Sequence, residues 1–135
     1  MGVEMWDRFE AIEECYEFML AYAAQGLTNH EGRQVRESLN RAVEALVGLA
    51  ESCATAGREE CSAQGARFAG FLAVLDRDAR DSLAAMELVL AQPTISSQLI
   101  DNLNASMHLR ALLTDVFLVG EVVRSQRAMS TLATT

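Results

Sequence analysis

Glu13 falls among large apolar neighbours on a helical wheel, flanked by Trp6, Phe9 and Leu20. A carboxylate aimed at a core needs a partner, because burying it unpaired costs several kcal/mol. In an antiparallel helical packing the middle of the last long helix lies opposite, offering His108, Arg110 and Asp115. Glu13, His108, Arg110 and Asp115 are therefore the candidate buried polar cluster. Two roles stay open for it: a paired group that sets helix register, or a ligand-binding or catalytic carboxylate with a raised pKa.

Metal chemistry finds less footing. Di-metal bundles use a Glu on each of two helices and a Glu-x-x-His on each of the other two. Here the residue three before His108 is Ala105, and the other histidine, His30, falls in a turn. Cys53 and Cys61 lie four residues either side of Gly57. Two thiols half-fill a tetrahedral site, and Cys15 points elsewhere, so the cysteines read as small buried hydrophobes. There is no glycine-rich phosphate loop and no basic aromatic patch. No catalytic, cofactor-binding or metal-ligating residue is assigned, and no cofactor is expected.

The elements that must position these residues are helices, since no useful length alternates with a period of two. The first is expected from Glu4 to Gln25, ended by Gly26, with a capping box opening at Thr28. The second runs from Glu31 to Ala56 and stops at Gly57. The third holds one apolar phase from Cys61 through Phe68, Leu72, Leu75, Ala79, Leu83 and Met86 to Leu90, as a single long rod. Pro93 ends it, and Thr94 or Ser96 caps a fourth helix reaching Ser125. Short connections make successive helices antiparallel, so the expected fold is all-α: an up-down-up-down four-helix bundle over residues 1–126 with long third and fourth helices, followed by a flexible tail over 127–135. The hairpin from Met86 to Leu103 is expected to project past the shorter first two helices. Asp76 with Arg80, and Arg77 with Asp81, are spaced as solvated i,i+4 pairs.

The stretch from Leu109 to Val123, LRALLTDVFLVGEVV, is apolar on nearly every side, more than one buried face requires. The first helix carries a similar excess, with an inward stripe of Phe9, Ile12, Tyr16, Leu20, Ala23 and Leu27 and a second of Ala11, Cys15, Phe18 and Tyr22. An interface formed by Phe18, Tyr22, Leu109, Leu112, Val116, Val119 and Val123 would bury both, making the protein a homodimer.

Charge narrows the partners. The net charge is −8, and residues 1–17 hold Glu4, Asp7, Glu10, Glu13, Glu14 and Glu17 against Arg8 alone. Such a surface repels phosphate backbones and anionic lipid, so neither nucleic acid nor membrane is an expected partner. Early charges unlike a signal peptide, an odd count of three cysteines and no apolar run of spanning length point to the cytoplasm. The expected function is a non-catalytic interaction module (adaptor, regulator or chaperone-like binder of a protein client). The alternative is a small-ligand or metal-binding bundle, an enzyme included, centred on Glu13.

Overall fold

The computed structural model describes residues 2–25 and 29–134, and every regular element in them is helical. There are six α-helices among the described residues: α1 (Gly2–Gln25), α2 (Asn29–Leu46), α3 (Leu49–Glu60), α4 (Gly65–Leu90), α5 (Ser97–Ala105) and α6 (Met107–Thr134), with a short 3₁₀ turn at Ser62–Gln64. The fold is thus all-α as expected, but six helices replace the four rods. The Gly26 terminator, Leu27 and the Thr28 cap lie outside the described residues.

Two additional breaks, at Gly48 and Ser106, turn four rods into six helices, and the break expected at Gly57 moves to Cys61. The first is at Gly48, whose φ of 88° only glycine adopts without strain. The carbonyls freed there are taken by an arginine from another helix. One Arg8 guanidinium nitrogen donates to Glu44 O (3.1 Å), Ala45 O (3.0 Å) and Val47 O (2.7 Å), placing a cation at the negative end of α2. Arg8 also pairs with Glu4 at 3.1 Å, and Ser52 Oγ donates to Glu4 Oε2 at 3.0 Å. These contacts, Arg8 first, hold the Glu4 carboxyl below its usual pKa.

The second break follows Glu60, where buried Cys61 and the 3₁₀ turn separate α3 from α4. Gly57, expected to stop a helix, lies inside α3 instead. Its missing side chain admits the Phe68 ring: a Cβ at Gly57 would stand 2.3 Å from Phe68 Cε1. The third break is Ser106, whose extended backbone interrupts the helical path and whose Oγ accepts from Leu109 N at 3.4 Å to cap α6. Ser96 caps α5 in the same way, accepting from Leu99 N at 3.0 Å.

α1 lies against α2, α3 and α5, while α4 lies against α3, α2 and α6. The core face of α1 is a single 3/4-spaced stripe of Met5, Phe9, Ile12, Cys15, Met19 and Tyr22. It replaces the two expected stripes. At about 100° per residue, Leu20 stands about 80° from Ile12 and Met19 only about 20°, so Met19 is buried and Leu20 exposed. On α2 and α3 the expected positions Val35, Leu39, Ala42, Leu46, Leu49 and Cys53 are all buried. In the hairpin from Met86 to Leu103, Met86, Val89, Ile95, Ile100 and Leu103 are also buried, so it does not project uncovered. Tyr22 Oη donates to Ile95 O at 2.6 Å, and Arg36 donates to the carbonyls of Leu90 and Gln92, closing the end of α4. α6 continues to Thr134, beyond the expected end near Ser125. No helix among the described residues is long and apolar enough to cross a membrane.

Candidate functional site

The four residues of the expected polar cluster are dispersed. The expected pairing took the last rod to begin near Ser96. With the break at Ser106 the rod is α6, whose midpoint lies near Gly120. Glu13 accordingly faces Val116, Phe117, Gly120 and Arg124 across a cavity of 540 Å³. His108 and Arg110 are exposed, and His108 Nδ1 stands 3.8 Å from Asp81. Asp81 therefore faces α6, while the expected Asp76–Arg80 pair is present at 2.9 Å.

Asp115 is buried, and its partner is Asp78 of α4, a residue the sequence did not single out. Burial, the hydrogen bond to Asp78 and the Asp78 charge push the Asp115 carboxyl up to about 7. Each of these causes disfavours the charged form of Asp115.

Trp6 builds the floor of the Glu13 cavity. Its ring meets Phe9 edge-on with centroids 5.6 Å apart, and it rests on Gly120, where an added Cβ would stand 3.2 Å from the ring. The Arg124 guanidinium carbon lies 4.5 Å from the Trp6 centroid, a cation over an aromatic face. Arg124 also reaches Glu121 at 3.5 Å. Glu10 and Glu13 make no ion pair among the described residues. Burial raises the Glu13 pKa, Glu17 and Glu10 add to the rise, and Arg124 opposes it.

Cys15, Cys53 and Cys61 are free and buried, and burial raises each thiol, Cys53 to about 12. No group of three His, Cys, Asp or Glu among the described residues is placed to hold a metal.

The residues expected at an interface belong to the core of one chain. Tyr22, Leu109, Leu112, Val116, Val119 and Val123 are buried and Phe18 is half-buried. α6 packs against α4, α3, α5 and α1, so its inward arc is wide, and the large apolar residues left outside are Met107, Phe117, Leu118, Met129 and Leu132.

A second apolar surface lies where the sequence reading saw only a core stripe. From Ser62 to Val74 no residue is buried, although Gly65-Ala-Arg-Phe-Ala-Gly-Phe-Leu-Ala-Val74 holds one charge, Arg67. Phe68, Phe71 and Leu72 are half-buried, and Val74 is 47% exposed. Clefts flank this segment on both sides: one of 240 Å³ against Leu118, Val119 and Val122 of α6, and one of 320 Å³ against Ala54 and Gly57 of α3. The density of apolar residues around Gly65 and Gly70 was the available signal. Comparison with protein families, with curated proteins and with solved structures found no match for this chain.

Proposed function

We propose that the protein is a non-catalytic interaction module that self-associates as a homodimer through the first three turns of α4 and the adjoining outer row of α6. The observation that carries this reading is the apolar run from Ser62 to Val74, in which Phe68, Phe71 and Leu72 are only half-buried and the rest is exposed. Contiguous apolar surface of this kind marks interaction sites in soluble proteins.

Two features favour a second copy as the occupant. The acidic residues concentrate on α1, whereas the segment between Ser62 and Leu75 carries only Arg67, so two copies approach here without the repulsion of a net −8 chain. The surface is also suited to itself. Gly65, Ala69 and Ala73 form one row at i,i+4 spacing and Ala66 and Gly70 another, beside the larger Phe71 and Leu118. An isologous interface needs both low rows and knobs on one patch, so that each fits the other.

Gly70→Glu is the informative variant. A Cβ at Gly70 meets nothing within 4 Å, so the substitution leaves the single chain's packing intact and improves helix propensity by about 0.5–1 kcal/mol. Sedimentation velocity at micromolar concentration is expected to give a dimer for the native chain. Gly70→Glu and Leu118→Glu are each expected to give a monomer with undiminished thermal stability. A native monomer at all concentrations, or a dimer that survives both substitutions, overturns the reading.

A further inference from the structure

We propose that the cavity between α1 and α6 binds an organic cation, a guanidinium or alkylammonium group, on the Trp6 face among Glu10, Glu13 and Glu121. This site is separate from the α4 surface, so its test and the oligomer test succeed or fail independently.

Three observations point the same way. The cavity measures 540 Å³, enough for an alkylguanidinium. Its walls combine aromatic rings from Trp6, Phe9 and Phe117 with the carboxylates of Glu10, Glu13 and Glu121, and one cation, Arg124, stands against those three acids. The one cation present already rests on the Trp6 ring, which shows where a positive charge settles in this cavity. Aromatic faces hold cations through the ring quadrupole, and carboxylates at the rim supply charge and hydrogen-bond acceptors. A neutral or anionic ligand would leave the excess negative charge uncompensated.

The fold maintains the arrangement by a specific means. Gly120 lets the rim of the Trp6 ring approach α6 closely, and the ring meets Phe9 edge-on. Glu13 is half-buried beside it, where solvent screening is weaker than at the surface. Arg124, on an exposed and flexible side chain, is an internal occupant that an incoming cation displaces toward Glu121.

Trp6 is the only tryptophan, so its fluorescence reports on the site directly. Ethylguanidinium and agmatine should each produce a saturable change in Trp6 emission, whereas neutral ethylurea and sodium chloride at matched ionic strength should not. Arg124→Ala should tighten binding about threefold, the ratio corresponding to loss of one exposed cation–π competitor. Glu13→Gln should weaken it about two- to fivefold, as loss of one partly screened charge pair predicts. Two sources carry this chemistry. Agmatine binding better than an arginine tripeptide with blocked ends identifies a free small amine as the ligand. The tripeptide binding equally well or better identifies a protein partner's arginine. Absence of saturation with every cation in both the native and Arg124→Ala chains overturns the proposal. So does an equal response to ethylurea, or binding unaffected by Glu13→Gln.

Discussion

Replacing Asp115 by Asn should make the protein more stable at neutral and alkaline pH, by a margin that falls away as pH drops toward about 4. The Asp115 carboxyl is buried on α6 against Asp78 of α4, its Oδ2 lacks a hydrogen-bond partner, and no arginine pairs with either acid among the described residues. Folding raises the carboxyl from an unfolded value near 4 to about 7. Between those values the folded chain binds more protons than the unfolded one, so stability falls as pH rises through the interval. An upward shift of about three units corresponds to about 4 kcal/mol at most, and sharing of the proton across the pair lowers the working figure to about 2–4 kcal/mol. For a chain of this length that is about 6–15 °C in Tm.

The amide of Asn fills the same volume and donates to the Asp78 carboxylate, so the variant keeps the contact without the titration. Urea unfolding of both chains from pH 4 to pH 8.5, followed by circular dichroism, gives the difference in stability at each pH. Subtracting the native chain removes the general effect of a net −8 charge. The difference should be smallest at pH 4, grow up to about pH 7 and level off above it, with Asp78→Asn showing the same profile. A difference that stays flat across the range, or a variant that becomes the less stable chain above pH 7, would refute the assignment of the Asp78–Asp115 pair.

Substitutions at three further positions test how the helices are held. Gly57→Ala places a Cβ on the Phe68 ring and should destabilise by about 1–2 kcal/mol, the overpacking cost less the gain in helix propensity. Gly70→Ala, which meets open space, should instead stabilise by about 0.5–1 kcal/mol, and thermal unfolding of the two side by side shows whether their signs differ. Arg8→Met leaves the carbonyls of Glu44, Ala45 and Val47 without their donor and should cost about 2 kcal/mol, with faster amide exchange around Gly48. Arg8→Lys should restore it only in part, since one ammonium cannot serve the three carbonyls and Glu4 together as the two guanidinium nitrogens do.

These residues also show why parts of the molecule were readable and parts were not. The helical class followed from 3.6-residue periodicity, and the core face of α2 and α3 was read correctly because Val35, Leu39, Ala42, Leu46, Leu49 and Cys53 keep one phase across the break. That same continuity hid the break itself. Gly48 sits in an unbroken apolar pattern, and the group that stabilises its freed carbonyls, Arg8, comes from another helix. Gly57 erred in the opposite direction: it resembles a terminator in sequence, but a ring eleven residues onward sets its role. Asp115 was recognised as a polar residue in an apolar stretch. Its partner was misassigned because the cap at Ser106 changes which turn of α6 faces which neighbour.

The glycines carry this reasoning one step further. Among the described residues Gly48 is required by its positive φ, Gly57 by the Phe68 ring and Gly120 by the Trp6 ring. Gly65 and Gly70 meet nothing within 4 Å and have negative φ, so the single chain gives no steric reason for either. Each lowers helix propensity by about 1 kcal/mol relative to Ala on an exposed face. They lie in the segment where Phe68, Phe71 and Val74 are left partly or wholly uncovered. Close approach of a second copy's α4 explains both facts together: the glycines admit its backbone, and the uncovered side chains are what it buries. If Gly70→Ala leaves the dimer as tight as before, the glycines serve no such contact and this part of the argument fails.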